Sequence, residues 1–97
     1  MSDAQPFAAA WAGACDCHVH VYEPGYPLAP TASFEPRPAP LVAYRQVQRR
    51  LGLSRVVVVQ PTGYGFDNRC TLGALARMGE GARGVAVLDP SVDDQTL

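Results

Sequence analysis

Two histidines, His18 and His20, stand two residues apart in the run Ala14-Cys15-Asp16-Cys17-His18-Val19-His20-Val21, and the chain has no other histidine. Imidazole nitrogens bind divalent metals, exchange protons near neutral pH and hydrogen-bond polarised oxygens. Two of them can serve one site only if they point the same way. In an extended strand, alternate side chains share a face. Alternation over a strand at about 14–21 predicts Asp16, His18 and His20 on one face, with Cys15, Cys17, Val19 and Val21 packed into the core on the other. The same alternation argues against a Cys-Cys-His-His zinc site, because thiols and imidazoles would face apart. Two ligands also leave a metal site unfinished, so at least one more must come from elsewhere.

The elements around this run decide whether it can be a site. Six of the nine prolines fall between residues 24 and 40, a stretch that can form neither helix nor central strand. Its place directly after the histidines suits a functional loop that walls a site. Leu41, Tyr44, Val47 and Leu51 then recur at helical spacing, with Gly52 where a C-cap belongs. The β-branched run Val56–Val59 reads as a strand buried on both faces. Gln60 to Asp67 forms a second loop, and a second helix is expected over about 68–78, with Leu72 and Leu75 inward and Asp67 or Asn68 as its cap. Gly84–Leu88 reads as a third buried strand, ended by Asp89-Pro90, and residues 93–97 as the capped first turn of a third helix.

Alternating strands and helices with buried strands imply a parallel sheet of the α/β class, either a doubly wound open sheet or a (β/α)₈ barrel. Both place their chemistry at the C-terminal ends of the strands. His20, Gln60 and Asp89 are expected at those ends. Gly63-Tyr64-Gly65 is too short for a phosphate-binding fingerprint. Thr62, Tyr64, Asp67 and Asn68 could line a pocket or serve the turn and the helix cap.

At 97 residues the chain is one domain at most. Its net charge of -1 gives no basis for binding nucleic acid or an anionic membrane. All eight basic residues are Arg, which we read as compositional bias beside abundant Ala, Gly and Pro. The apolar stretches fall short of the roughly 18 residues that span a membrane. Residues 1–14 carry no basic residue, so the charged start of a secretory signal is missing. Cys15, Cys17 and Cys70 do not make a disulfide framework, and reduced thiols in the cytoplasm are expected.

Asp16-Cys17-His18-Val19-His20 resembles the Asp-x-His-x-His signature of the amidohydrolase superfamily. Pro24 to Pro30, Val58-Val59-Gln60, Gly65-Phe66-Asp67-Asn68 and Arg83 to Val87 followed by Asp89 are similar to the amidohydrolase-2 group, and within it to the 2-pyrone-4,6-dicarboxylate lactonase branch with its sugar-lactone relatives. The resemblance covers residues 14–97, with residues 1–13 as an N-terminal extension. It implies the first three βα units of a (β/α)₈ TIM barrel, incomplete in this chain, since such barrels need about 250 residues.

It further implies a hydrolase opening a lactone or related cyclic ester. In that role His18 and His20 would bind a divalent metal, zinc by donor type, or polarise the scissile carbonyl in the manner of a metal-independent branch. Family members complete the site with later histidines, a last-strand Asp as general base, and arginines on substrate carboxylates. Gln60, Thr62 and Phe34 are the expected substrate-binding residues. Thr62 matches a position that offers a Ser hydroxyl, whereas Phe34 lacks the aromatic hydroxyl that the pyrone lactonases direct at substrate. That loss argues for a substrate other than the dicarboxylated pyrone. The expected partners are a small-molecule lactone or carboxylated cyclic ester and either the rest of the barrel or a second chain. Two alternatives stand beside this reading: a decarboxylase of the same superfamily, or a non-catalytic truncated module that associates with a partner chain.

Overall fold

A computed structural model of the chain describes residues 13–96, so all of the N-terminal extension except Gly13 lies outside the described residues. Three parallel strands, β1 (Cys15–Val19), β2 (Arg55–Val59) and β3 (Ala82–Val85), lie in the order β1-β2-β3. Helix α1 (Leu41–Leu51) joins the first two strands and α2 (Arg69–Met78) the last two, with 3₁₀ turns at Thr62–Tyr64 and Gly79–Gly81. This is the expected strand-helix alternation. The central strand is Arg-Val-Val-Val-Val, a sequence whose branched side chains favour extended backbone. Val56 and Val58 are buried in a cluster with Val21, Leu41, Cys70 and Ala74, and Val57 and Val59 alternate onto the more open face.

Helix α1 ends at Gly52 as expected. Gly52 adopts the left-handed conformation (φ 70°), its N–H reaches Arg49 O, and the Leu53 N–H reaches Gln48 O. Its inward stripe differs from expectation, however. Leu41, Tyr44 and Gln48 face inward, while Val47 and Leu51 are exposed. Gln48 tolerates burial because Arg45 donates to its Oε1 at 3.0 Å, and the same guanidinium reaches the carbonyls of Arg77 and Met78 at the end of α2. In α2 the buried residues are Cys70, Thr71 and Ala74, with Leu75 packed beside them. Leu72 is 58% exposed, against the expectation that it would point inward.

The third strand starts and ends earlier than the 84–88 expected, and beyond Ala82 it is exposed, not buried, because among the described residues it is the edge strand of the sheet. The Gln60 N–H donates to Val85 O at 2.9 Å, and the pairing of β2 with β3 ends there. Beyond that point the Asn68 side chain takes over, donating from Nδ2 to Val87 O and accepting the Val87 N–H. Asn68 is therefore the N-cap of α2 by position only. The Asp67 carboxylate instead receives the Arg69 N–H. The expected start of a third helix is a turn in which Asp93 Oδ1 accepts both the N–H and the hydroxyl of Thr96, and Leu97 lies outside the described residues.

Two side chains hold the loops that surround the strand ends. The Pro-rich loop is closed at its base by a Tyr22–Ala39 bridge, and Glu23 accepts the first amide of α1, Leu41 N–H, at 2.8 Å. With Pro40 as N-cap residue offering no side-chain acceptor, Glu23 supplies the cap from 18 residues away. Gln60, 3% exposed, organises the second loop. Its Nε2 donates to Gly65 O and Asp67 O, and its Oε1 accepts the hydroxyl of Thr71, itself 2% exposed. Replacing Thr71 with Val, which keeps the shape but strands the Gln60 oxygen, should cost about 1–3 kcal/mol in urea unfolding. Glu23→Ala should cost about 1 kcal/mol and Glu23→Gln less, since the amide keeps an acceptor for Leu41. Equal stability of the Ala and Gln variants would show that the cap contributes nothing.

Candidate active site

The register of β1 against β2 decides which way its side chains face. Cys15 pairs with Arg55 and Asp16 with Val56, yet Val19 pairs with Val58. Cys17 and His18 together therefore stand opposite Val57, one residue more than regular pairing allows. Residues paired across parallel strands share a face, so Asp16 and Val19 both lie on the helix-covered side with Val56 and Val58. The hydrogen bond from Tyr44 of α1 to Asp16 Oδ2 at 2.9 Å agrees with this placement. The expectation that Asp16 shares a face with His18 and His20 is thus corrected. The extra residue inverts the alternation between them. Cys17 is exposed and Cys15 half-buried, so neither fills the core as expected; Cys70 is the buried thiol, and all three cysteines are free.

The structure does bring the two imidazoles together. Their ring centroids lie 4.9 Å apart with an interplanar angle of 87°. Both line a groove of about 480 Å³ at the C-terminal ends of β1 and β2, with Tyr22, Phe34, Val59 and Thr62. His20 Nδ1 lies 2.8 Å from Val59 O. A carbonyl can only accept, so Nδ1 carries the proton and a neutral His20 presents the lone pair of Nε2. Sequence reasoning missed Val59, because its contribution is a backbone carbonyl.

Of the expected substrate-binding residues, Phe34 is 55% exposed and forms part of the groove wall. Thr62 starts the 3₁₀ turn, and none of its hydrogen bonds among the described residues uses the hydroxyl. That hydroxyl stays available to a ligand. Gly63 behind it packs so closely that a Cβ would come within 2.7 Å of the Tyr22 hydroxyl. Gln60 also borders the groove, but both of its amide hydrogens and its oxygen are engaged by the loop and Thr71. The structure gives it a scaffolding place.

Asp89 lies beyond the end of β3, in a turn where Ser91 donates to it from N–H and hydroxyl, which hold its carboxyl below the usual range. It does not line the groove. Asp67 is likewise held low by the two-pronged Arg69 contact, whose guanidinium also stands 5.8 Å over the Tyr26 ring. Among the described residues, no cluster of three or more His, Cys, Asp or Glu side chains could hold a metal. Two imidazoles with one fixed nitrogen lone pair are a donor set that fits a divalent ion in part, as two of three or four ligands.

Comparison with known proteins places this geometry. The amidohydrolase family pattern matches residues 15–97. The chain is 41% identical over 88 residues to a 2-pyrone-4,6-dicarboxylate hydrolase of Comamonas testosteroni, covering 89% of this chain and 29% of that protein. It is 34% identical over 100 residues to a D-galactarolactone isomerase of Agrobacterium fabrum, covering 100% of this chain and 34% of the relative. A ligand-free Agrobacterium tumefaciens structure superposes with a TM-score of 0.76 at 36% identity, over 86% of this chain and 31% of that one. The chain thus spans about a third of the length of the relatives it matches. Its three parallel strands and the two helices between them are a portion of the TIM barrel those relatives share. With its paired imidazoles at the mouth of that sheet, the chain belongs to the amidohydrolase family.

Proposed function

We propose that the protein to which this chain belongs is a hydrolase that opens a lactone or related cyclic ester at the groove of His18 and His20. The observation that carries this reading is the imidazole pair, edge to face at 4.9 Å at the strand ends, in a family whose matched relatives are named for lactone substrates. His18 and His20 would hold a divalent ion, zinc by donor type, which when bound supplies a Lewis acid and a water acidic enough to ionise near neutrality. Val59 supports that role by keeping the His20 proton on Nδ1 and Nε2 free. In the metal-independent variant of the mechanism, His20 would instead need its second proton to donate from Nε2 to the scissile carbonyl oxygen.

Thr62 offers a hydroxyl to a substrate oxygen, and Phe34 offers an apolar wall without one. This combination suits a lactone whose recognition does not require an aromatic hydroxyl near the first loop. The general base and the carboxylate-binding groups are assigned to parts of the barrel beyond these residues. Those same parts would cover the open sheet face of Val57 and Val59 and the free edge of β3.

The test is lactone hydrolysis by the protein expressed from its full reading frame, against a panel of pyrone and sugar lactones. His18→Asn and His20→Asn should each lower kcat/KM by about 10²-fold or more, and chelation should abolish turnover that zinc then restores. Full activity of the double variant would remove the reading. Activity that survives chelation but not the His substitutions would replace ligation with hydrogen-bond donation.

A further inference from the structure

Val19 packs against the core and Val21 is fully buried in it. Alternation then sends His18, His20 and Tyr22 to the opposite, open face, with successive members of that row about 6.5 Å apart. All three line the groove. The proposed chemistry uses both imidazoles and leaves the tyrosine idle. Its backbone closes the base of the Pro-rich loop, the N–H donating to Ala39 O at 3.0 Å and the carbonyl accepting the Ala39 N–H at 3.3 Å. Its ring lies 5.0 Å from the ring of Tyr64, which is buried. A phenylalanine would fill that seat as well, so the phenolic oxygen is what needs a reason.

The hydroxyls of two neighbouring tyrosines are committed: Tyr64 donates to Glu23 O at 3.2 Å and Tyr44 to Asp16 Oδ2 at 2.9 Å. None of the hydrogen bonds among the described residues uses the Tyr22 hydroxyl. No buried side-chain oxygen among those residues lacks a partner, so this one is open to solvent or to a ligand. The turn after β2 also leaves room for it. A Cβ on Gly63 would stand 2.7 Å from the hydroxyl and 3.0 Å from the ring carbon Cε1, although the Gly63 backbone has no positive φ that calls for glycine. Gly63 directly follows Thr62, which brings the other unengaged hydroxyl of the groove to the same turn.

We propose that Tyr22 is a specificity-determining residue: its hydroxyl bonds an oxygen substituent of the lactone ring, a hydroxyl or a carboxylate, while His18 and His20 serve the scissile ester. The inference rests on the lactone-hydrolase reading. A phenol both donates and accepts, so it suits either substituent, and a bare ring leaves it unpaired in the occupied groove. A contact to a part of the substrate that does not react acts on binding, so its loss should raise KM more than it lowers kcat.

The test uses the protein expressed from its full reading frame. The lactone of the pyrone and sugar-lactone panel that is opened fastest is set against the same ring without substituents, δ-valerolactone or the bare pyrone. Tyr22→Phe should lower kcat/KM for the substituted lactone by about tenfold, chiefly through KM, and shrink its preference over the bare ring by a similar factor. Its melting temperature should match that of the unaltered protein, because the ring keeps its seat against Tyr64. Gly63→Ala, whose new methyl displaces the hydroxyl, should also shrink the preference, and should add little to Tyr22→Phe. An undiminished preference in Tyr22→Phe overturns the proposal. An equal loss on both lactones overturns it too, because that marks a purely structural role. If the unaltered protein opens no lactone of the panel, the hydrolase reading fails and takes this inference with it.

Discussion

The pairing of β2 with both of its neighbours is the constraint on which the rest of this structure depends. Its four valines place alternate side chains on two faces, and the two faces have different work. Val56 and Val58 join the cluster under the helices, where burial of a valine is worth about 1.5–3 kcal/mol. Val57 and Val59 stand on the face that carries the imidazoles, and the Val59 carbonyl fixes the proton of His20. The strand's last amide goes to Val85, and the chain then turns at Pro61 into the loop bearing Thr62. A change of register in β2 would therefore displace core, histidine tautomer and candidate substrate hydroxyl together.

Much of this was legible in the sequence because it rests on local rules. Val56–Val59 read as a strand, Gly52 could end a helix in the left-handed conformation, and Pro24 to Pro40 could be neither helix nor central strand. The histidine pair at the end of a first strand was likewise readable from type and spacing. What was not legible depended on specific polar partners, some of them distant in sequence. Asp16 was placed wrongly because alternation assumes regular pairing, and the hydrogen bond that disturbs it comes from Tyr44, 28 residues away. Gln48 displaced Val47 from the inner stripe of α1 because Arg45 satisfied its amide, a contact that periodicity of apolar residues ignores. Gln60 looked like a ligand at a strand end, and its commitment to Thr71 became visible only when α2 was packed against it.

A common pattern links these departures. In each, a polar side chain is engaged by a specific partner, and the partner ties the loop or strand in place. Burying an amide or carboxylate without such a partner would cost more than the surrounding apolar contacts return. Gln60 with Thr71, Glu23 with the Leu41 amide, Asn68 with the Val87 backbone and Asp16 with Tyr44 each join segments well separated in the chain. Two of them shape the loops beside the groove, and one ties the start of β1 to α1. The groove is thus built on directional bonds whose geometry tolerates little drift, while the valine cluster beneath supplies cohesion without direction. That division suits a family in which the sheet is shared and the chemistry varies with the loops. Thr62 and Phe34 line the groove without taking part in the side-chain bonds that shape it, whereas Gln60 and Asp16 are committed to those bonds, so changing either of the latter would disturb the local shape first.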